Sequence, residues 1–122
     1  MRNKILIAAT ILVLFVAGAV LAGHPVKPCG IVTSPVQFTM TDKLLVATGT
    51  FKNDSRNDYR QVLITVQFLD AKGNRVDGVS KHYYNVKAGG TYDFKVASGI
   101  RNDLARTAVS AKVVRVDAYI DN

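Results

Sequence analysis

Apolar and polar residues alternate through the middle of this 122-residue chain, most clearly from Tyr59 to Leu69. Glutamine and threonine occupy most of one face of this segment. The other face carries Val62, Ile64, Val66 and Phe68. A period of two with one apolar side predicts a β-strand that is covered on one face only. The next segment, 70–74, ends the strand with hairpin chemistry, because Gly73 supplies the positive φ that a type I turn with a bulge requires.

The same alternation predicts further strands on both sides of that turn. They cover 36–41, 44–52, 75–86, a stretch around 92–96, and 112–120. In the last strand, the predicted apolar face carries Val114, Val116, Ala118 and Ile120. Gly49 indicates a bulge or a close backbone approach within its strand. The segment 100–111 is predicted to be a loop with at most one helical turn. Six or seven strands joined by hairpin-like turns favour one all-β antiparallel sandwich.

The first 22 residues differ from the rest of the chain. Arg2 and Lys4 precede a run without charge or proline, and Ala22 ends it with a small residue. This pattern predicts a cleaved export signal, with an uncleaved membrane anchor as the alternative. Either leaves the following domain outside the cytoplasm, periplasmic or secreted, with membrane association only through 1–22 if that segment stays attached. Lipidation is not expected, because His24 stands where the acylated cysteine would follow Gly23.

All three prolines lie in 24–35, so 23–35 is predicted to be an extended tether that leads into the sandwich domain, 36–122. The single cysteine, Cys29, excludes an internal disulfide. We expect a free thiol there, with pairing to another chain as the alternative.

The chain is basic, with 16 Lys and Arg against 9 acidic residues, all of them aspartate, and a net charge of +7. A basic exported domain attracts anionic lipid, wall polymers or polysaccharides. The charges are scattered along the strands rather than clustered, which favours a solvated face. No nucleic-acid partner is expected.

The positions of the histidine, cysteine and aspartate residues do not indicate a catalytic site. The only histidines are His24, in the predicted tether, and His82, in a strand. A Cys29–His82 dyad is not expected, because Cys29 lies in the predicted tether, where nothing would fix its geometry. The loop 53–58 offers oxygen atoms, but Arg56 interrupts it and the ligand spacing for calcium is absent. We predict no catalytic, metal or cofactor site, and hence no enzyme.

Tyr83 and Tyr84 are adjacent strand residues and therefore point to opposite faces. One is expected in the core and the other exposed. An exposed tyrosine beside lysines can bind a glycan or a peptide strand, although ordinary cross-strand packing is the favoured interpretation.

Two segments together resemble the FxLYD domain. The first runs from Gly49 through an Asn-x-Ser group to the strand 59–70 and Gly73, and the second is 88–94. The aromatic-apolar-Asp run is shortened to 68–70 without its tyrosine, and Ala88 replaces a proline. A weaker similarity is to the YcfL-like periplasmic lipoproteins. The resemblance covers about 45–96 and implies an immunoglobulin-like sandwich outside the cytoplasm, with no catalytic residues.

These observations predict a non-enzymatic interaction module of the cell envelope, which binds another envelope protein through a sheet edge or loops. The alternative is an electrostatic binder of anionic lipid, wall polymer or polysaccharide. The predicted contact surface consists of two parts, the loop residues Asn53, Asp54, Arg56 and Asn57 and one strand face that carries Arg60, Lys81, Tyr84 and Arg115.

Overall fold

The computed structural model describes residues 23–121; the predicted signal or anchor segment, 1–22, lies outside these residues. The described chain forms two antiparallel sheets and contains no α-helix. The strands are β1 (His24–Val26), β2 (Ile31–Thr33), β3 (Gln37–Met40), β4 (Leu44–Asn53), β5 (Tyr59–Leu69), β6 (Arg75–Val86), β7 (Thr91–Gly99) and β8 (Ser110–Ile120). The predicted all-β sandwich is confirmed, and one 3-10 turn, Ala105–Thr107, lies in the predicted loop 100–111.

The first sheet has the strand order β1-β8-β5-β6. The second sheet is centred on β4, which pairs with β7 along one side. On its other side, β2 lies opposite 51–53 and β3 lies opposite 45–48, so these two short strands follow one another along a single edge. The strands β6 and β7 end their respective sheets on the same side of the sandwich.

The prediction of a tether over 23–35 is wrong. Residues of this stretch pair as β1 with β8 and as β2 with β4, and the chain crosses from the first sheet to the second at 27–30. The buried Tyr59 hydroxyl donates a hydrogen bond to the Cys29 carbonyl oxygen in that crossover. Proline is compatible with this arrangement because an edge strand leaves one row of N–H groups unpaired, and Pro25 lies in the edge strand β1.

The core lies between the inner faces of the two sheets, as the alternation predicts. The buried residues of the long central strands include Leu45, Ala47, Phe51, Val62, Ile64, Val66, Phe68, Phe94 and Val96. Gly49 belongs to the same inner face and marks a close approach, because a Cβ atom there would lie 2.7 Å from the Phe94 ring. The large aromatic side chain of Phe94 therefore fills the space that Gly49 leaves.

The turn at 70–74 has the predicted chemistry. The N–H of Gly73 donates to the Asp70 carbonyl oxygen at 3.0 Å, and Gly73 has a φ of 84°. The Asp70 carboxylate accepts hydrogen bonds from the N–H groups of Lys72 and Asn74, both at 2.9 Å. The turn is thus stabilised by the Asp70 side chain and by Gly73, because glycine adopts positive φ without strain.

The predicted inward face of β8 is correct only in its second half. Val116 lies opposite Ile64 and Val113 lies opposite Val66, so β8 contains one residue more than β5 over this stretch. This β-bulge turns Val113 toward the core and leaves Val114 41% exposed. The expectation that Val114 faces inward is therefore wrong.

Candidate functional site

Asn53 does not belong to the surface, contrary to the prediction. Its side chain is fully buried, and its amide group donates to the carbonyl oxygens of Asn57 at 2.7 Å and Val86 at 3.2 Å. Its side-chain oxygen accepts the Ser55 N–H at 3.1 Å. Asn53 is therefore a structural residue, because every polar atom of its side chain is bonded inside the fold.

The loop that follows Asn53 remains on the surface. Asp54, Arg56 and Asn57 are exposed, and Lys52 lies 4.0 Å from the Asp54 carboxylate. The backbone N–H of Asp54 donates to the Gly30 carbonyl oxygen at 2.9 Å, which attaches the loop to the β1–β2 crossover. The loop thus offers polar side chains from an anchored backbone.

The structure does not bring the four predicted strand residues onto one face. Tyr84 pairs with Gln61, and Arg115 pairs with Thr65, so both lie on the outer face of the first sheet. Lys81 pairs with the buried Ile64, and therefore belongs to the opposite face of β6. Arg60 is exposed near the end of the chain, with its Nε atom 3.6 Å from the Asp121 carboxylate.

An aromatic and amide-bearing surface crosses the first sheet on its outer face. Tyr84, Gln61 and Tyr119 are direct cross-strand neighbours on β6, β5 and β8. The Tyr84 side chain is 64% exposed, and its ring stacks on that of His82 at a centroid distance of 6.3 Å. His82 in turn contacts the Gln61 amide. We call this surface the tyrosine face, and its residues are Gln61, His82, Tyr84, Arg115, Asp117 and Tyr119.

One carboxylate of the tyrosine face is almost covered. The Asp117 side chain is 9% exposed, and its Oδ2 atom lies 2.7 Å from the Nε atom of Arg115. The Arg115 guanidinium is mostly exposed, so one part of it is held by Asp117 while the rest faces solvent. This pairing fixes the orientation of the guanidinium.

Side chains close the seam between the edge strands β6 and β7. The Ser98 hydroxyl donates to the Asp77 carboxylate at 2.7 Å. The Lys81 ammonium donates to the Lys95 carbonyl oxygen at 3.2 Å, and the Lys95 N–H donates to the Tyr83 hydroxyl at 3.3 Å. Both backbone groups of Lys95 are therefore occupied, and this part of the β7 edge is not open for an added strand.

Tyr83 lies on the inner side of β6, as one of the two adjacent tyrosines was predicted to do. Its ring lies 5.1 Å from that of Phe51, and the Lys81 ammonium lies 5.4 Å from its centroid. Burial raises the pKa of the Tyr83 phenol above its ordinary value, while the hydrogen bond from the Lys95 N–H acts in the opposite direction. The phenol therefore stays protonated at neutral pH.

A groove lies on the outer face of the second sheet, and its volume is about 790 Å³. We call it the lysine groove, and its polar residues are Ser34, Gln37, Thr48, Thr50, Lys81, Tyr83, Asp93 and Lys95. Of these, sequence reasoning had singled out only Lys81 and Tyr83. The alternation predicts outward side chains at Thr48 and Lys95, but only the pairing of β4 with β7 makes them neighbours.

Within residues 23–121, the His, Cys and Asp side chains form no group of three or more that could hold a metal ion. The same residues contain no helix with the length and apolar character that crossing a membrane requires.

No family model matches this chain, and no curated protein matches it. Its fold is similar to the crystal structure of a DUF1425 family member from Shewanella sp. pv-4, with a TM-score of 0.54 and 20% sequence identity. The similarity covers 80% of this chain and 90% of that chain. At this identity the likeness supports the β-sandwich fold alone. The FxLYD resemblance is not confirmed by these comparisons and stays a prediction.

Proposed function

We propose that this chain is a non-enzymatic interaction module of the cell envelope, which binds another envelope protein outside the cytoplasm through the tyrosine face. The observation that carries the proposal is the exposure of Tyr84, at 64%, beside His82 and on the same outer face as the Arg115 guanidinium that Asp117 holds. Tyrosine and arginine are enriched at protein interfaces, where they provide a large contact area together with directional hydrogen bonds.

The outer face supports this contact better than the sheet edges do. On the β7 edge of the second sheet, the Lys81 and Tyr83 side chains are hydrogen-bonded to the backbone of Lys95. The other edge of this sheet consists of the two short strands β2 and β3, with a break between them. Of the two edges of the first sheet, β1 has three residues and contains Pro25, and β6 lies along the seam where its Asp77 and Lys81 side chains are bonded to β7. An added strand would therefore find no long unobstructed edge at these positions. The export-signal pattern of 1–22 and the FxLYD resemblance support a site of action outside the cytoplasm.

The experiment is site-specific photo-crosslinking of the full chain in its native host. A benzoylphenylalanine at position 84 is expected to capture one envelope protein that the same probe at position 104 does not capture. Position 104 is a matched control, because Leu104 is also a large exposed side chain, at 58%. The captured protein is then titrated with the wild-type chain, Tyr84→Ala and Leu104→Ala.

We expect Tyr84→Ala to weaken binding about tenfold or more, as for a central interface aromatic, and Leu104→Ala to leave it unchanged. Equal crosslinking at both positions, or an unchanged affinity of the Tyr84→Ala variant, would contradict the proposal.

A second candidate is the electrostatic binding of anionic lipid, wall polymer or polysaccharide. The net charge of +7 and the two lysines of the lysine groove favour it. In the crosslinking experiment this candidate predicts lipid or polymer adducts that rising salt removes, because exposed charge interactions are screened.

A further inference from the structure

The floor of the lysine groove is a row of cross-strand neighbours that reach across three strands. Gln37 lies opposite Thr48, and Thr48 lies opposite Lys95. In the next row, Thr50 lies opposite Asp93. These side chains alternate with buried residues of the inner face and therefore point outward. The groove thus has a rigid floor, because its side chains stand on paired strands rather than on a loop.

Most of the polar groups in the groove remain available to a ligand. Within residues 23–121, no hydrogen bond or ion pair engages the side chains of Gln37, Thr48, Thr50, Asp93 or Lys95. Ser34 differs, because its hydroxyl donates to the Pro35 carbonyl oxygen at 3.0 Å and accepts the Thr50 N–H at 2.9 Å. Ser34 therefore shapes the wall, and the other side chains supply the donors and acceptors.

Positive charge is concentrated on the β6–β7 side of the groove. Lys81 is held there by its bond to the Lys95 carbonyl oxygen, and an ammonium group has two further N–H donors. The Tyr83 hydroxyl accepts the Lys95 N–H, so its own proton is free to be donated. Burial raises the pKa of this phenol and keeps the proton in place. Two ammonium groups and one hydroxyl donor fit an anionic group.

The rest of the groove has the chemistry of sugar recognition. The hydroxyl of Thr50 and the amide of Gln37 can each donate and accept, and the Asp93 carboxylate accepts from two hydroxyls at once. Asp93 also disfavours a densely anionic surface, because it would face like charge. This mixture distinguishes an acidic sugar, which offers hydroxyls beside each anionic group, from a phospholipid membrane.

We propose that the lysine groove binds an acidic saccharide, a sugar that carries a carboxylate or a phosphate. Lys81 and Lys95 hold the anionic group, while Thr50 and Asp93 bond sugar hydroxyls. The site is distinct from the tyrosine face and does not depend on it. It gives the second candidate function a defined position and a defined ligand class.

The test is calorimetric titration of the full chain, purified in a neutral detergent, with three oligosaccharides. Tetragalacturonate carries carboxylates, phosphorylated pentamannose carries phosphate, and maltotetraose is neutral. The variants are Lys95→Gln, Thr50→Val and the control Lys112→Gln. Lys112 is an exposed lysine on the outer face of the first sheet, so its substitution removes the same charge away from the groove. Sedimentation with phosphatidylcholine vesicles, with and without phosphatidylglycerol, forms the membrane arm.

We expect at least one acidic oligosaccharide to bind, and its identity distinguishes carboxylate from phosphate. Lys95→Gln should weaken this binding about tenfold and Lys112→Gln less than about twofold. Thr50→Val should weaken it severalfold, and maltotetraose should not bind. The proposal is overturned if neither acidic oligosaccharide binds, if the two lysine variants lose affinity equally, or if Lys95→Gln affects only the binding of anionic vesicles.

Discussion

The side-chain amide of Asn53 donates a hydrogen bond of 3.2 Å to the carbonyl oxygen of Val86, at the end of β6. The backbone of Asn53 continues the connection, since its N–H donates to the Gly90 carbonyl oxygen at 2.9 Å and its own carbonyl oxygen accepts the Gly89 N–H at 2.7 Å. One buried residue therefore joins the end of β4 in the second sheet to the β6–β7 hairpin and to the loop 53–58. The two sheets depend on a polar link at this end as well as on apolar packing.

Asn53→Ala should destabilise the fold by about 3 kcal/mol, because it leaves the Val86 and Asn57 carbonyl oxygens without the amide donor in a buried site. The free energy of unfolding, measured by urea denaturation, tests this. The control is Asn57→Ala, because the Asn57 side chain is exposed and Asn57 accepts the Asn53 hydrogen bond through its backbone oxygen, which the substitution leaves in place. A loss below about 1 kcal/mol in Asn53→Ala would show that water replaces the amide without cost.

Gly49→Ala should destabilise the fold by about 1–3 kcal/mol, which is typical of overpacking. The added methyl would lie 2.7 Å from two Phe94 ring atoms and 3.0 Å from the Ser34 hydroxyl oxygen, and Phe94 is buried. Gly99→Ala is the matched control, because Gly99 is also a strand glycine and its Cβ would have no atom within 4 Å. We expect the thermal unfolding midpoint to fall for Gly49→Ala and to hold or rise for Gly99→Ala.

The sequence predicted the strands that show apolar and polar alternation or that are bounded by clear turns. The predicted bounds of β5 and β6, 59–69 and 75–86, agree with the structure. Eleven residues of period two define β5, whereas β6 alternates less regularly and is bounded by the glycine turns on its two sides. The strands β1 and β2 have three residues each and lie among prolines, so no periodicity could reveal them. They form because β8 and β4 offer unpaired edges, which is a tertiary effect.

The candidate sites were predictable only in part. The parity of positions 81 and 84 already places Lys81 and Tyr84 on opposite faces of β6, and that signal was available from the sequence. The burial of Asn53 was not, because it depends on Val86, which is distant along the chain. The lysine groove likewise exists only because β7 pairs with β4 and because Lys81 reaches across from the other sheet.

The β-bulge in β8 predicts different outcomes for two adjacent valines. Val113→Thr should destabilise the fold by about 1–2 kcal/mol, because it places a hydroxyl against the core. Val114→Thr should stay within about 0.5 kcal/mol, because Val114 is 41% exposed. Each variant is the control for the other, since the chemical change is the same. Chemical denaturation that gives the reverse order would mean that β8 continues in register without the bulge.

The partly buried phenol of Tyr83 should make the stability depend on pH in the alkaline range. Burial raises its pKa in the folded state, so the contribution is fully present below the unfolded-state value of about 10 and is lost as the pH rises through the raised value. The free energy of unfolding should therefore fall more in the wild type than in Tyr83→Phe between about pH 9 and pH 11. Comparing the two chains removes the titration of the other tyrosines and of the lysines, which both share. Parallel curves for the wild type and Tyr83→Phe would contradict the assignment.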